Sequence, residues 1–85
     1  MKGVVWNYKL STGRILIPIG AKILGVFRSG EGDYRIYAEV DPDAVQAPRV
    51  FRIFGTGQPI PFLHEYIGTF TEPPLVWHVY ENLQS

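Results

Sequence analysis

Apolar and polar residues alternate along most of the chain, in short runs rich in β-branched and aromatic side chains. In the first run, Val4, Trp6, Tyr8 and Leu10 share one face while Asn7 and Lys9 share the other, the period-two signature of a half-buried strand. Ser11-Thr12-Gly13 supplies turn chemistry. Arg14 to Ile19 sets Ile15, Ile17 and Ile19 together, and Pro18, which has no ladder N–H, assigns this piece to an edge. Lys22 to Arg28 opposes Ile23 and Phe27 to Leu24 and Val26, apolar on both faces, which predicts a central strand. Ser29-Gly30-Glu31-Gly32-Asp33 reads as a hairpin loop.

Tyr34 to Val40 alternates Tyr34, Ile36, Ala38 and Val40 against Arg35, Tyr37 and Glu39. Asp41 to Pro48 reads as an irregular connection, in which Asp41 and Pro42 can open one helical turn. Arg49 to Phe54 resumes the sheet with Phe51 and Ile53 inward, and Gly55 ends it. Residues 55–65 hold too many breakers for regular structure and too many apolar residues to float in water, so they should pack as one ordered loop. Tyr66 to Thr71 and Leu75 to Glu81 form a last hairpin around Glu72-Pro73-Pro74, and residues 82–85 should fray.

The pattern predicts an all-β fold over residues 1–85: a small single-domain barrel or sandwich of about six to seven mostly antiparallel strands with one long ordered loop. Its expected core is Trp6, Ile15, Ile17, Ile23, Phe27, Ile36, Phe51, Ile53 and Trp77.

Composition narrows the function classes. The 85 residues are 46% hydrophobic and contain no cysteine, so a core is feasible while disulfides, thiolate nucleophiles and Cys-ligated zinc are excluded. No apolar run approaches the ~18 residues of a membrane helix. Met1-Lys2 leads straight into a strand-like run and not into a signal peptide, giving the expectation of a cytoplasmic protein without membrane association. A net charge of zero argues against bulk nucleic-acid binding. Lys2, Lys9, Arg14, Lys22 and Arg28 precede every acid, whereas all eight acids share the rest of the chain with Arg35, Arg49 and Arg52. Such segregation makes a dipolar surface or, in the favoured reading, is resolved when strands from the two halves pair.

The catalytic inventory is thin: two histidines and the aspartates Asp33, Asp41 and Asp43. Ser29, His78 and Asp33 form a triad on paper, but their spacing supports none, and no catalytic residue or cofactor is assigned. A metal would need His64 and His78 with Glu65 or Glu81, and histidines 14 positions apart match no compact ligand motif. Gly55-Thr56-Gly57-Gln58-Pro59 is neither a P-loop nor a dinucleotide fingerprint, although closely spaced glycines also permit an anion nest. The aromatics exceed what a small core needs, and rings with a polar handle suit a docking surface.

These features converge on one candidate ligand site: Arg49, Arg52, Thr56, Gly57, Gln58, Tyr66, Trp77 and His78. Glycines allow close approach, arginines grip an anionic or planar group, and the indole or Tyr66 can stack on a base. The competing reading makes the loop a plug formed by Ile60, Phe62 and Leu63, with both arginines solvated.

Trp6-Asn7-Tyr8, the run from Ile17 to Leu24, the segment from Arg52 to Ile60, Tyr66-Ile67-Gly68-Thr69 and Val76-Trp77-His78-Val79 together resemble an uncharacterised family of short bacteriophage and prophage proteins. The chain departs from it at Ile36-Tyr37, where a tryptophan is expected. The resemblance implies a phage origin more than an activity, in genomes where small standalone domains are often accessory factors. With the thin catalytic inventory and the surplus aromatics, the expectation is a non-enzymatic binding protein that engages a host protein or sequesters a small anionic, nucleotide-like ligand, counteracting host defence. The alternative is a structural or assembly accessory acting by self-association. An unguarded sheet edge further predicts a homo-oligomer.

Overall fold

A computed structural model describes residues 3–11 and 13–84; the predicted Ser11-Thr12-Gly13 turn depends on Thr12, which lies outside the described residues. Among these residues seven strands form: β1 (Val4–Lys9), β2 (Arg14–Pro18), β3 (Lys22–Arg28), β4 (Tyr34–Val40), β5 (Gln46–Gly55), β6 (His64–Glu72) and β7 (Leu75–Asn82). They make two antiparallel sheets, ordered β1-β4-β3 and β2-β5-β7-β6, which pack as a sandwich and do not close into a barrel. Ile17, Val26, Ile36, Ala38, Val40, Phe51 and Val79 fill the space between them.

β3 is not central but an edge of the three-stranded sheet, and its two apolar faces have a different cause. The register passes from Ile23↔Ala38 to Gly25↔Tyr37, leaving Leu24 as the extra residue of a β-bulge. Gly25 takes φ 152° there. The slip reverses the phase, so Ile23 faces the core before the bulge and Val26 after it. Phe27 is thereby turned out: it is 54% exposed and meets the Tyr37 ring edge-on at 5.6 Å. Trp6, also expected in the core, lies on the inward phase but is 38% exposed, because β1 is an outer strand packed mainly on β4.

β5 begins earlier than expected, at Gln46, and includes Pro48 opposite Leu16. Pairing with β7 starts at Val50, so Pro48 stands where β5 has a neighbour on one side, and its missing N–H breaks no ladder bond. The preceding connection shrinks to a turn in which Asp41 accepts from the Asp43 and Ala44 amides. The expected fraying of residues 82–84 is also corrected. Asn82 ends β7, the Leu83 amide donates to the Leu63 carbonyl at 2.8 Å, and Gln84 Nε2 donates to the Phe62 carbonyl at 3.1 Å. Ser85 lies outside the described residues.

The sheets touch along a seam between β3 and β6. A Cβ at Gly68 would stand 2.8 Å from Val26 Cγ1, so this close approach requires glycine. The rings of Tyr34 and Phe70 stack at 4.0 Å, and the Tyr34 hydroxyl donates to the Thr71 carbonyl at 3.2 Å.

Tyr8 points inward with a buried hydroxyl that has no hydrogen-bond partner among the described residues, and burial pushes its pKa up. A satisfied tyrosine loses about 1 kcal/mol when its hydroxyl is removed, but an unsatisfied one does not. Tyr8→Phe is therefore expected to match or exceed the wild-type stability in urea titration. A loss above about 1 kcal/mol would show that the hydroxyl is bonded in solution.

Candidate functional site

Strand alternation gives the four-stranded sheet an outer face carrying Arg52 and Phe54 from β5, Tyr80 and His78 from β7, and Tyr66 and Thr69 from β6. Register sets Arg52, Tyr80 and Tyr66 in one cross-strand row, and Phe54, His78 and Thr69 in the next. A second bulge between Tyr66 and Gly68 keeps both Tyr66 and Thr69 on this face. The rings meet edge-on: Phe54 and Tyr80 at 5.7 Å, Tyr66 and Tyr80 at 5.5 Å, and Phe54 and His64 at 5.8 Å.

A chain of polar groups crosses the same face. The Tyr66 hydroxyl lies 2.6 Å from Thr69 Oγ1, which is 3.1 Å from His78 Nδ1; His78 Nε2 is 2.9 Å from Thr56 Oγ1. Thr56 in turn donates to the Val76 carbonyl at 3.4 Å. With the proton on Nε2, every donor in the row finds an acceptor: Tyr66 to Thr69, Thr69 to His78, His78 to Thr56. His78 is thus held by two threonines, and Thr56 belongs to its support.

The predicted site divides between two faces. Arg52, Thr56, Tyr66 and His78 share the outer face, with Gly57 and Gln58 in the adjoining turn. That turn uses its own donors: the Gln58 amide donates to the Gly55 carbonyl at 3.1 Å and the Gly55 amide to Gln58 Oε1 at 2.9 Å, with Gly57 at φ 90°. Arg49 and Trp77 point the other way, between the sheets. The Arg49 fork donates to both oxygens of the nearly buried Glu81 at 2.6 Å and to the Ala21 carbonyl at 2.9 Å. Donating these hydrogen bonds to Glu81 raises the already high pKa of Arg49. Trp77 lies flush with Gly55, one of its ring atoms 3.5 Å from where a Cβ would stand.

The paper triad resolves into separate contacts. Ser29 hydrogen-bonds Asp33 inside the β3–β4 loop, holding the Asp33 carboxyl below the usual carboxylate range, and Arg35 pairs with it at 3.1 Å. Both nitrogens of His78 are engaged by Thr56 and Thr69. Among the described residues no three His, Asp or Glu side chains gather as a metal site requires, and no helix is long and apolar enough to cross a membrane.

The loop does not plug the sandwich. Phe62 is 90% exposed and Leu63 63%, with Ile60 and Leu83 also at the surface. The Phe62 carbonyl accepts from His64 Nδ1 at 3.0 Å as well as from Gln84, and Leu63 stands at φ 60°. His64, expected within the loop of residues 55–65, instead opens β6, half-buried against Phe54. The signal for an outward loop was in Pro59-Ile60-Pro61, where two prolines remove amide donors and hold the chain extended.

A family model described as a domain of unknown function, DUF7352, matches residues 1–85, and the chain belongs to that family. No curated protein and no solved structure matches it.

Proposed function

We propose that this DUF7352 member is a non-enzymatic binding protein that engages a partner protein through Phe62 and Leu63. The observation that carries the reading is an apolar ring held in water by a bonded loop. Burying a phenylalanine stabilises by about 1.5–3 kcal/mol, yet three hydrogen bonds onto the Phe62 and Leu63 carbonyls keep this one outside. Leu63 accepts a left-handed backbone that costs about 1–2 kcal/mol for an L-residue. Such preorganisation suits an anchor that enters a pocket on another protein, because little ordering entropy is left to lose on docking. Ile60 and Leu83 widen the apolar patch, while His64 and Gln84 supply a polar rim.

On the phage resemblance, the partner is a cytoplasmic host protein and the result is interference with host defence. A nucleotide-like ligand has less to hold it: Arg49 is consumed by Glu81, and Arg52 borders an open recess of about 280 Å³ with Phe54 and Gln58.

A photo-crosslinking amino acid at position 62, expressed in host cells, is expected to give a discrete adduct that is absent when the same probe replaces Phe27 on the other sheet. Leu63→Ser should abolish the adduct while changing stability by less than about 0.5 kcal/mol. The same adducts from both positions, or none from position 62, would refute the reading. So would stabilisation by a nucleotide that is lost on Arg52→Ala.

A further inference from the structure

The four sheet edges are not equivalent. β3 and β6 lie along each other at the seam, where the Val26 amide nitrogen is 3.5 Å from the Cβ position of Gly68. β2 is short and ends in Pro18, which guards it against pairing. β1 carries no proline, pairs with β4 on one side, and presents Val4, Val5 and Trp6 substantially exposed. It has the features of an edge left open for another strand.

The charges around β1 state which strand fits. Lys9 stands directly opposite Arg35 in the β1–β4 register, a like-charge pair, and Arg35 is drawn away to Asn7 and Asp33. Glu39, opposite Lys22 in the β3–β4 register, reaches over the other end of β1, its Oε2 3.2 Å from the position a Cβ would occupy on Gly3. β1 thus has a cation needing an acid at one end and an acid reaching to the edge at the other.

We propose that β1 pairs antiparallel with β1 of a second copy of this chain, centred on Trp6, to form a two-fold dimer with a continuous six-stranded sheet built from two β1-β4-β3 sheets. Opposed residues must share a face, so the two-fold axis must pass through a residue position and not between two. Centring on Trp6 overlaps β1 together with the preceding Gly3, so that residues 3 to 9 of the two copies face each other. Lys9 then stands opposite the partner's Gly3, which has no side chain, beside the partner's Glu39, and symmetry makes this contact twice. Trp6 meets the partner's Trp6, and Val4 meets the partner's Tyr8, covering the apolar edge that the monomer leaves open. This interface is separate from the Phe62 anchor.

The test is light scattering and sedimentation of the full chain at high micromolar concentration. Wild type is expected to be dimeric. Lys9→Glu and Glu39→Lys should each weaken the dimer about tenfold, since each puts like charges together at two symmetric contacts, and combining them should restore it. The register has its own readout because the chain has no native cysteine. Val5→Cys combined with Asn7→Cys should yield an oxidised dimer, while either alone should not, since residue 5 comes opposite the partner's residue 7 and neither position opposes its own copy. A monomeric wild type overturns the proposal, and so does a dimer that ignores both charge reversals. A dimer that crosslinks through either cysteine alone overturns the register.

Discussion

Truncation of Phe51 to alanine is expected to cost about 3–5 kcal/mol, the range for removing a fully buried aromatic from a packed core. Phe51 has no exposed surface and lies within the cluster formed by Ile17, Ile36, Val40 and Val79. At roughly 0.05–0.15 kcal/mol per residue, a chain of 85 residues has only about 4–13 kcal/mol to lose. The variant should therefore unfold at markedly lower urea concentration with an unchanged m-value. Val50→Ala, one residue away on the opposite phase, should cost far less. A Phe51→Ala protein that unfolds at the wild-type midpoint would mean that the inward phase of β5 is misassigned.

That phase was legible because alternation in β4 and β5 runs unbroken past Ile36 and Phe51. β3 was not, because the Leu24 bulge changes the phase by one residue and exchanges Phe27 for Val26. A glycine within an apolar strand is the signal that marks such a site, and Gly25 carried it. Trp6 shows a different limit: alternation states which face a side chain takes, not whether another layer covers it. The division of the candidate site was itself written in parity. Residues 49 and 52 lie three apart, and 77 and 78 are adjacent, so within straight strands each pair must point to opposite faces. The two prolines at 59 and 61 signal an outward path, but no local pattern supplied what anchors it: the Phe62 and Leu63 carbonyls are bonded by His64, Leu83 and Gln84, two of which come from the far end of the chain.

Removing Arg49 is the second large effect expected, and it bears on what Arg49 is for. Arg49→Met leaves Glu81 nearly buried, and breaking a buried pair by deleting one partner costs about 3–5 kcal/mol. The register adds a second penalty, because Glu65 stands directly opposite Glu81 and the guanidinium no longer offsets two like charges across β6 and β7. Combining Arg49→Met with Glu81→Leu removes the orphaned charge and should recover most of the loss, since apolar groups of similar volume replace such pairs at little cost. Urea titration of the two single variants and the double one, closed as a thermodynamic cycle, measures the coupling directly. Arg52→Met, on the outer face, should stay within about 0.5 kcal/mol of wild type. If Arg49→Met proved equally mild, the Glu81 pair would be dispensable and the guanidinium would be free to serve a ligand between the sheets, with the recess beside Lys22, Glu65 and Tyr66 as its place. A full cost recovered by the double variant instead fixes Arg49 as the internal counter-charge of the sandwich, and leaves recognition to the outer face and the loop.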